Sequence, residues 1–578
     1  MKQVFSFLKP LKLRITVGMI IKIIGTVVEL FIPFLLTYIL EDVIGSMDIR
    51  KILFYGGLMV LCAIIAAVSN IVANRMAAKT AMLYTYELRR ALFSKTLYLS
   101  AQKTSDFTIP SLETRITSDT YDIQGFVGMM QRIGVRAPML LIGGIIITLI
   151  MDKYLALVMI ATLPVIFFVV YGISKKSVPM YSKVRDSADN MVRIVREDVQ
   201  GIRVVKALSK NEFENARYDK ANKKLQNDEI KAGTVMAIVN PAMTMLMNLG
   251  IVGVVAVSAY LVADGKSSPA TVIAFMQYFT LISMAMMSLS RIFMMFTKCA
   301  ASAKRIGAVL NCKNELDVID EYNKESTTAE KINQNHIVFE NVSFSYLGKK
   351  NNVSDLSLEV KKGMRIGIIG RAGSGKSTIM RLLMRFYDVD KGAIYINGKN
   401  IKAYKPHELT QMFGVVMQND FLYADTIEEN IDFGRNLSHE QIVRAAQIAQ
   451  AEKFIEEKNE KYDYKISAGG TNLSGGQRQR LLIARAIATN PEILILDDSS
   501  SALDYATDMN LRKMLEMQMP DSTIITVAQR VSSVKNCHII LVLDDGEIIG
   551  KGTHEELLKN CEEYKEISNS QMGGAFVE

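Results

Sequence analysis

Six long apolar segments dominate the first 300 residues and restrict the possible folds more than any other feature of the chain. Because a helix needs about 20 apolar residues to cross the hydrocarbon core, each segment predicts a membrane-spanning helix. The segments lie at residues 15–40, 53–78, 133–151, 154–173, 233–263 and 269–297. We therefore predict a multidomain membrane protein, with an all-α transmembrane domain over residues 1–310, a linker over 311–335 and a soluble α/β domain over 336–578.

The connections between these segments are very unequal in length. Asp152 and Lys153 alone separate the third and fourth segments, and residues 264–268 separate the fifth and sixth. By contrast, residues 79–132 and 174–232 are long, charged and rich in helix-favouring residues, and structureless loops of that length are rare. We predict that each forms a pair of helical extensions about 40 Å long. Their many lysines and arginines place them, and both termini, on the cytoplasmic side of the plasma membrane.

Charge and cysteine content restrict the partners and the compartment. The net charge of +9 comes largely from residues near the predicted membrane ends, which indicates a lipid bilayer and no nucleic acid as partner. The five cysteines have neither paired nor metal-binding spacing, so we expect reduced thiols. The basic segment 1–14 precedes an apolar run that is too long for a cleavable signal peptide, so we expect a membrane helix there.

Two charged residues lie inside the first apolar segment. Lys22 and Glu29 are seven residues apart and therefore share one face of a helix, where charges usually face a cavity or a partner. Snorkelling of Lys22 to the membrane surface is the simpler interpretation, and a place for Glu29 on a translocation pathway is the alternative. The fifth and sixth segments are rich in methionine, which either packs between helices or lines a cavity for varied hydrophobic substrates.

The soluble half contains a phosphate-binding loop. An apolar strand, Arg365–Gly370, leads into the pattern G-x-x-x-x-G-K-S, and a helix follows. The loop comprises Gly370, Arg371, Ala372, Gly373, Ser374, Gly375, Lys376 and Ser377, and Thr378 comes next. Its backbone N–H groups and Lys376 suit the phosphates of ATP or GTP, and Ser377 suits Mg²⁺. A second apolar strand, Ile493–Asp497, ends in an acid that would also hold Mg²⁺, through a water molecule.

A third motif carries a family resemblance. Leu473 is followed by Ser474, Gly475, Gly476 and Gln477, which is similar to the signature of the ATP-binding cassette (ABC) superfamily. Together with the membrane half, nearly the whole chain resembles ABC exporters of the half-transporter type. In that family two cassettes face head to tail, and the signature of one chain contacts the γ-phosphate held by the other chain's P-loop. The resemblance therefore implies an ATPase whose partner is a second ABC half-transporter.

The resemblance also implies roles for residues outside the three motifs. Tyr346 would stack on adenine, and Gln418 would contact Mg²⁺ and sense the membrane domain. Residues Ser501–Asp504 look like the D-loop. Phe107–Asp119 and Gly201–Ala207 look like the tips of the extensions, which dock on the cassettes.

Two residues depart from the family pattern. The residue after Asp497 is normally a glutamate that acts as general base, and here it is Asp498; the switch histidine is replaced by Gln529. A carboxylate shortened by one methylene falls short of the attacking water, and a neutral amide is a poor substitute for imidazole at the γ-phosphate. The resemblance then implies the degenerate-site subunit of a heterodimeric multidrug-type exporter. Its own site would bind ATP and hydrolyse it poorly, while its signature would complete a competent site that uses the partner's glutamate.

The sequence leaves the transported substrate open among drugs, lipids and peptides of hydrophobic or amphipathic character. Two alternative functions also stay open. The first is a homodimeric lipid flippase, which an intact base and switch histidine would have favoured. The second is an ATP-gated channel or regulatory subunit, which would give current or signalling without uphill accumulation of substrate.

Overall fold

The computed structural model describes residues 1–44, 48–264, 268–313 and 335–572. The chain forms two compact units. One comprises Met1–Leu97 and Thr108–Cys312, and the other comprises Tyr98–Phe107 and Lys313–Glu578. The linker predicted at 311–335 lies almost entirely outside the described residues.

The first unit is helical throughout its described part. Its longer helices are α2 (Lys12–Tyr38), α3 (Ile49–Leu97), α6 (Thr120–Met151), α7 (Lys153–Gln200), α9 (Asn211–Ala237), α10 (Val239–Ala263) and α11 (Pro269–Leu310), and its shorter ones are α1 (Lys2–Ser6), α5 (Ile109–Thr114) and α8 (Ile202–Ala207). Helix α4 (Ala101–Phe107) belongs to the second unit. Each of the six apolar segments lies on helical residues. Within the described residues, five helical stretches are long and apolar enough to cross a membrane, and Lys153–Ile166 is a shorter apolar stretch.

Small residues and one buried hydroxyl hold the membrane helices together. Four of the nine buried residues of α3 are alanines, which let neighbouring helices approach closely. They are Ala66, Ala73, Ala77 and Ala81. The Tyr278 hydroxyl donates to the Leu30 carbonyl at 2.6 Å and so fastens α11 to α2. In an apolar medium this contact gives the buried tyrosine hydroxyl a hydrogen-bond partner.

Several helices continue beyond the membrane. Helix α7 has 48 residues, so at 1.5 Å per residue it is about 72 Å long, more than twice the thickness of the hydrocarbon core. The second extension turns at α8, within the predicted tip at Gly201–Ala207. The first turns at Tyr98–Phe107, earlier in the chain than the predicted tip at Phe107–Asp119, because α3 already ends at Leu97. This turn belongs to the same compact unit as the cassette. Burial raises the pKa of Tyr387, and the negative charge of Asp106 in this turn raises it further.

An ion pair with a buried carboxylate and a half-exposed arginine joins two helical segments of the first unit. The Asp119 side chain is 2% exposed. Its carboxylate accepts from Arg305 Nε at 2.8 Å and from an Arg305 terminal nitrogen at 2.5 Å. The Ser302 hydroxyl also donates to this carboxylate, at 3.0 Å. The pair therefore fastens the end of α11 to the turn of helix that precedes α6.

We expect Arg305→Met to destabilise the transmembrane unit by about 3 kcal/mol, because it leaves the buried Asp119 carboxylate without its counter-ion. Thermal unfolding of the chain in lipid nanodiscs measures this as a drop of several degrees in the midpoint. Arg193→Met is the matched control, since Arg193 pairs with Glu197 in an exposed position and should change stability by less than about 1 kcal/mol. Equal midpoints for the two variants would contradict a structural role for the Asp119 pair.

The second unit is an α/β domain with two sheets. Its strands are β1 (Ile337–Phe344), β2 (Val353–Val360), β3 (Arg365–Gly370), β4 (Lys391–Ile396), β5 (Lys399–Asn400), β6 (Phe413–Val416), β7 (Ile493–Asp497), β8 (Thr523–Val527), β9 (Ile539–Asp544) and β10 (Glu547–Gly552). Its helices after α4 are α12 (Lys376–Leu383), α13 (Pro406–Gln411), α14 (Ile427–Asp432), α15 (His439–Ile448), α16 (Glu452–Glu456), α17 (Gly475–Ile487), α18 (Tyr505–Gln518), α19 (His554–Asn560) and α20 (Glu562–Met572).

The order of the strands decides where the functional residues meet. One sheet has the order β2-β1-β4-β5 and the other β10-β9-β3-β8-β7-β6. In the second sheet, β3, β8 and β7 are adjacent and parallel. All residues of β7 and β8 are buried, as is typical of central strands covered on both faces. The carboxyl ends of these three strands therefore bring together the P-loop, the pair Asp497–Asp498 and Gln529.

Candidate functional site

The P-loop adopts a conformation that requires glycine. Gly375 has φ +96°, and a Cβ there would lie 2.5 Å from the Asn352 carbonyl oxygen. The loop folds back on its own lysine, because Lys376 Nζ donates to the carbonyls of Gly370 at 2.8 Å and Arg371 at 2.6 Å. Burial lowers the pKa of Lys376, and the carboxylates of Asp497 and Asp498 oppose that shift. The ammonium group is thus held at the loop, where it can pair with phosphate oxygens.

A cavity of about 330 Å³ lies over this loop. Its lining brings together most of the residues that the sequence predicts for nucleotide and metal, namely Ala372, Gly373, Gly375, Lys376, Ser377, Thr378, Gln418, Asp497, Asp498 and Gln529. Asn352, Val527 and Ala528 also line it, and sequence reasoning missed all three. Asn352 precedes β2 and has no motif around it, so no local signal could have identified it.

Three residues that line one part of the cavity, Ser377, Gln418 and Asp497, offer oxygen ligands. The Ser377 hydroxyl is hydrogen-bonded to the Asp497 carboxylate, and burial raises the pKa of Asp497 while this hydrogen bond lowers it. Gln418 contributes an amide from the loop after β6. A hydroxyl, a carboxylate and an amide oxygen are hard ligands of the kind that Mg²⁺ prefers. The donor set therefore fits Mg²⁺ bound together with nucleotide phosphates.

The two residues that depart from the family pattern contact each other. Gln529 Nε2 donates to Asp498 Oδ2 at 3.4 Å. Burial raises the pKa of Asp498, while Arg530 and Lys376 oppose the shift. The amide of Gln529 thus engages the very carboxylate that stands in the position of the general base.

Helix α20 fixes the segment Gln529–Val531 through one side chain. Gln571, near the end of α20, donates from Nε2 to the Gln529 carbonyl at 2.8 Å. Its Oε1 accepts from the Val531 backbone N–H at 2.8 Å. One side chain therefore fixes the backbone on both sides of residue 530. No sequence motif indicated this contact, because it joins residues that are 40 or more positions apart.

Tyr346 stands beside the P-loop helix. Its hydroxyl lies 3.4 Å from the Thr378 hydroxyl and 3.3 Å from an Arg381 nitrogen. The ring makes edge contacts with Phe344 and Tyr387 at centroid distances of 4.9 and 5.1 Å. Tyr346 is not among the described residues that line the 330 Å³ cavity. An adenine-stacking role therefore stays a prediction.

The signature residues cap and begin α17, and none of them is among the described residues that line the cavity. Ser474 caps the helix, since its hydroxyl accepts from the Gln477 backbone N–H and the Gln477 side chain accepts from the Ser474 N–H. A Cβ on Gly475 would lie 3.7 Å from Ala502 Cβ, which is an ordinary contact. The chain's own packing therefore does not require glycine at position 475.

The predicted D-loop, Ser501–Asp504, contacts both the signature and Asp498. Ala502 lies beside Gly475, and the Ser501 hydroxyl donates to the Asp498 carbonyl at 3.0 Å. Asp504 ends the segment and caps α18 through the Thr507 N–H. One short segment therefore contacts both the signature helix and the backbone of Asp498.

Comparisons with known proteins agree with this arrangement. A family model described as the ABC transporter transmembrane region matches residues 15–286, and one described as ABC transporter matches residues 353–501. The "Uncharacterized ABC transporter ATP-binding protein YfiB" of Bacillus subtilis is 33% identical over 99% of both chains. The corresponding protein Mb1304c of Mycobacterium bovis is 30% identical over 99% of this chain and 98% of its own length. The chain belongs to the ABC transporter family.

A solved structure, "Structure of a bacterial Atm1-family ABC exporter with ATP bound", has the same fold. It gives a TM-score of 0.81 at 24% identity and covers 98% of this chain and 99% of its own. The prediction of an ABC half-transporter, with a helical membrane domain fused to a P-loop cassette, is thus confirmed. Membership of the ABC transporter family implies ATP binding, ATPase activity and a dimeric arrangement.

The membrane domain of this ABC transporter contains a polar cluster that its sequence only partly revealed. Lys22 is 3% exposed, and its ammonium donates to the side-chain oxygens of Asn70 at 2.6 Å and Asn74 at 3.1 Å. The snorkelling interpretation of Lys22 is therefore wrong, because two amides on α3 hold the side chain between helices. Glu29 pairs with Arg136 of α6 at 2.6 Å.

The methionines of the fifth and sixth spans have two different environments. Met243 is buried and Met287 packs against the same cluster of side chains, so these two help to join α10 and α11. Met245, Met276 and Met284 are exposed and are free to meet substrate, partner or lipid. The packing interpretation therefore applies to Met243 and Met287, and a substrate-lining role for the other methionines stays a prediction.

Proposed function

We propose that this chain is the degenerate-site subunit of a heterodimeric ABC exporter, which uses ATP to move a hydrophobic or amphipathic substrate out of the cell. The exporter fold and the family support the general activity. The cassette at 336–578, the extensions and both termini would lie in the cytoplasm, and the domain at 1–310 would cross the plasma membrane. The bias of lysine and arginine toward the extensions supports this orientation.

The hydrogen bond between Gln529 and Asp498 is the observation that carries the proposal. A general base must reach the attacking water. Asp498 is short for this task, and its carboxylate already accepts the Gln529 amide at 3.4 Å. A switch residue should stabilise charge on the γ-phosphate, and an amide engaged with Asp498 is poorly placed to do so. The Asp498–Gln529 pair therefore favours binding of ATP at this site without its hydrolysis.

The binding groups of the same site are intact. Lys376 would pair with the β- and γ-phosphates, the P-loop backbone would surround them, and Tyr346 would cover the adenine. Ser377, Gln418 and Asp497 would hold Mg²⁺, which neutralises phosphate charge when bound. The signature, Ser474–Gln477, would complete the partner's site, where the partner supplies the catalytic glutamate.

The purified chain alone tests this proposal. In lipid nanodiscs with Mg²⁺ and ATP, we expect it to retain bound ATP while its steady-state hydrolysis stays at least about 100-fold below that of the assembled pair, because both transition-state groups are replaced. Lys376→Ala is the control for specific binding and should lose the retained nucleotide. Robust hydrolysis by the chain without any partner would contradict the degenerate-site assignment.

A further inference from the structure

We propose that the membrane domain selects amphiphiles with an anionic headgroup, through a cationic cluster formed by Lys22 of α2 and by Arg132 and Arg136 of α6. The proposal rests on the export function and adds the substrate's charge to it. A carboxylate, phosphate or sulfate on an apolar tail is the chemistry that this cluster fits.

Lys22 interacts electrostatically with Arg136, Glu29 and Arg132, so the cluster has three positive side chains and one negative side chain. Glu29 is the carboxylate that pairs with it, and its ion pair goes to Arg136. Lys22 is held by the neutral amides of Asn70 and Asn74. Arg132 donates through Nε to the Gly128 carbonyl of its own helix at 3.1 Å. Within the described residues, the ion pairs thus leave two of the three cations without a carboxylate.

The cluster lies inside or at the edge of the hydrocarbon core. Helix α6 ends at Met151, next to the short connection at Asp152. At 1.5 Å per residue, Arg136 lies about 22 Å and Arg132 about 28 Å from that end, in a core roughly 30 Å thick. Both arginines are therefore in the half of the membrane nearer the long extensions, which is the cytoplasmic half in the proposed topology.

The accessibility of the arginines favours a site that receives a ligand. The Arg136 side chain is 40% exposed even though it is paired, and Arg132 is exposed as well. Charged side chains that face hydrocarbon are costly, so accessible ones within membrane domains usually face a water-filled cavity or a partner. Among the described residues, the buried atoms Arg136 Nε and Glu29 Oε2 have no hydrogen-bond partner, so the ion pair with Glu29 does not satisfy every polar atom of the two side chains.

The spacing of the arginines suits an acidic group. Arg132 and Arg136 are four residues apart and therefore neighbours on one face of α6. Guanidinium groups bind carboxylate and phosphate through two parallel N–H donors. The pair can therefore hold the headgroup, while the apolar tail remains among the surrounding membrane helices.

Binding of a matched pair of fluorescent probes tests the proposal without hydrolysis. The full chain in zwitterionic lipid nanodiscs is titrated with 12-(NBD-amino)dodecanoic acid and with its methyl ester, which differ only in the charge of the headgroup. A second arm compares NBD-labelled phosphatidylglycerol with NBD-labelled phosphatidylcholine. We expect the acid to bind at least about tenfold more tightly than the ester. If phosphatidylglycerol also binds more tightly than phosphatidylcholine, the substrate is a lipid. If only the fatty acid binds more tightly than its ester, the substrate is a single-chain amphiphile.

Two substitutions with opposite expected effects exclude a purely structural explanation. Arg132→Gln removes a cation that has no carboxylate partner, and should raise the Kd of the acid about tenfold while leaving the ester unchanged. Glu29→Gln frees Arg136 and should lower the Kd of the acid. Arg75→Gln, at an exposed position on α3, is the matched control, and retained ATP binding verifies the fold of every variant.

Equal Kd values for the charged and uncharged members of both probe pairs would overturn the proposal, as would equal losses of acid and ester binding in Arg132→Gln. Because these titrations use no ATP hydrolysis, a failure of the degenerate-site assignment would leave them interpretable. Conversely, loss of the headgroup preference would leave the ATPase comparison unaffected.

Discussion

Gly475→Ala in this chain is expected to lower steady-state ATP hydrolysis of the assembled transporter by about 100-fold, a loss of the size seen when a group that stabilises the transition state is removed. The signature forms the start of α17, where backbone N–H groups and the helix dipole favour an anion. In the proposed arrangement this helix end meets the γ-phosphate held by the partner. A methyl group at position 475 would intrude where the backbone must approach that phosphate.

The structure allows this effect to be separated from misfolding. A Cβ on Gly475 would make an ordinary 3.7 Å contact with Ala502, whereas nothing lies within 4 Å of a Cβ on Gly233. Gly233→Ala is therefore a matched control, and both variants should unfold at the temperature of the unmodified protein.

ATP retained at this chain's own P-loop should persist in Gly475→Ala, since that site uses the partner's signature. Lys376→Ala should instead lose that nucleotide and reduce hydrolysis less, through weaker closure of the dimer. Equal losses of hydrolysis in Gly475→Ala and Lys376→Ala, with nucleotide retained at both sites, would mean that the two sites are equivalent.

Much of the fold could be predicted from the sequence because its signals are local. A run of about 20 apolar residues specifies a membrane helix through the cost of burying polar groups in lipid. The P-loop likewise combines a strand, required glycines and a helix within a few residues. For the same reason, the residues from Ala372 to Thr378 could be assigned to one site, except that Ser374 does not line its cavity. Asp497 could be added because it ends an apolar strand, and Gln529 through the family resemblance.

The contacts on which the two proposals rest join residues that are far apart in the chain. The hydrogen bond from Gln529 to Asp498 spans 31 positions, and the pairing of Glu29 with Arg136 spans 107. Nothing in the sequence around Lys22 indicates that two asparagines on another helix hold it. The position of the first turn was also missed. A continuous helix-favouring sequence around Leu97 does not show where the chain stops and reverses.

Asp498→Glu combined with Gln529→His is expected to raise hydrolysis at this chain's own P-loop site at least about tenfold, since general-base catalysis typically contributes factors of 10² to 10⁴. Glutamate extends the carboxylate by one methylene toward the attacking water. Histidine removes the amide that Asp498 accepts at 3.4 Å and supplies an imidazole for the γ-phosphate. To isolate this site, the measurement uses an assembled pair in which this chain also carries Gly475→Ala, which suppresses the other site.

The single substitutions are the informative controls, because the two side chains contact each other and should not act independently. Asp498→Glu alone leaves the amide next to a carboxylate that is still engaged, and Gln529→His alone leaves a base that is too short. Each should therefore recover much less than the double variant. Bound-nucleotide analysis should show ADP replacing ATP at this chain's P-loop only when both changes are present. If the double variant instead retains ATP and hydrolyses no faster than its parent, the limitation lies in the signature supplied by the partner, and the Asp498–Gln529 pair does not set the rate.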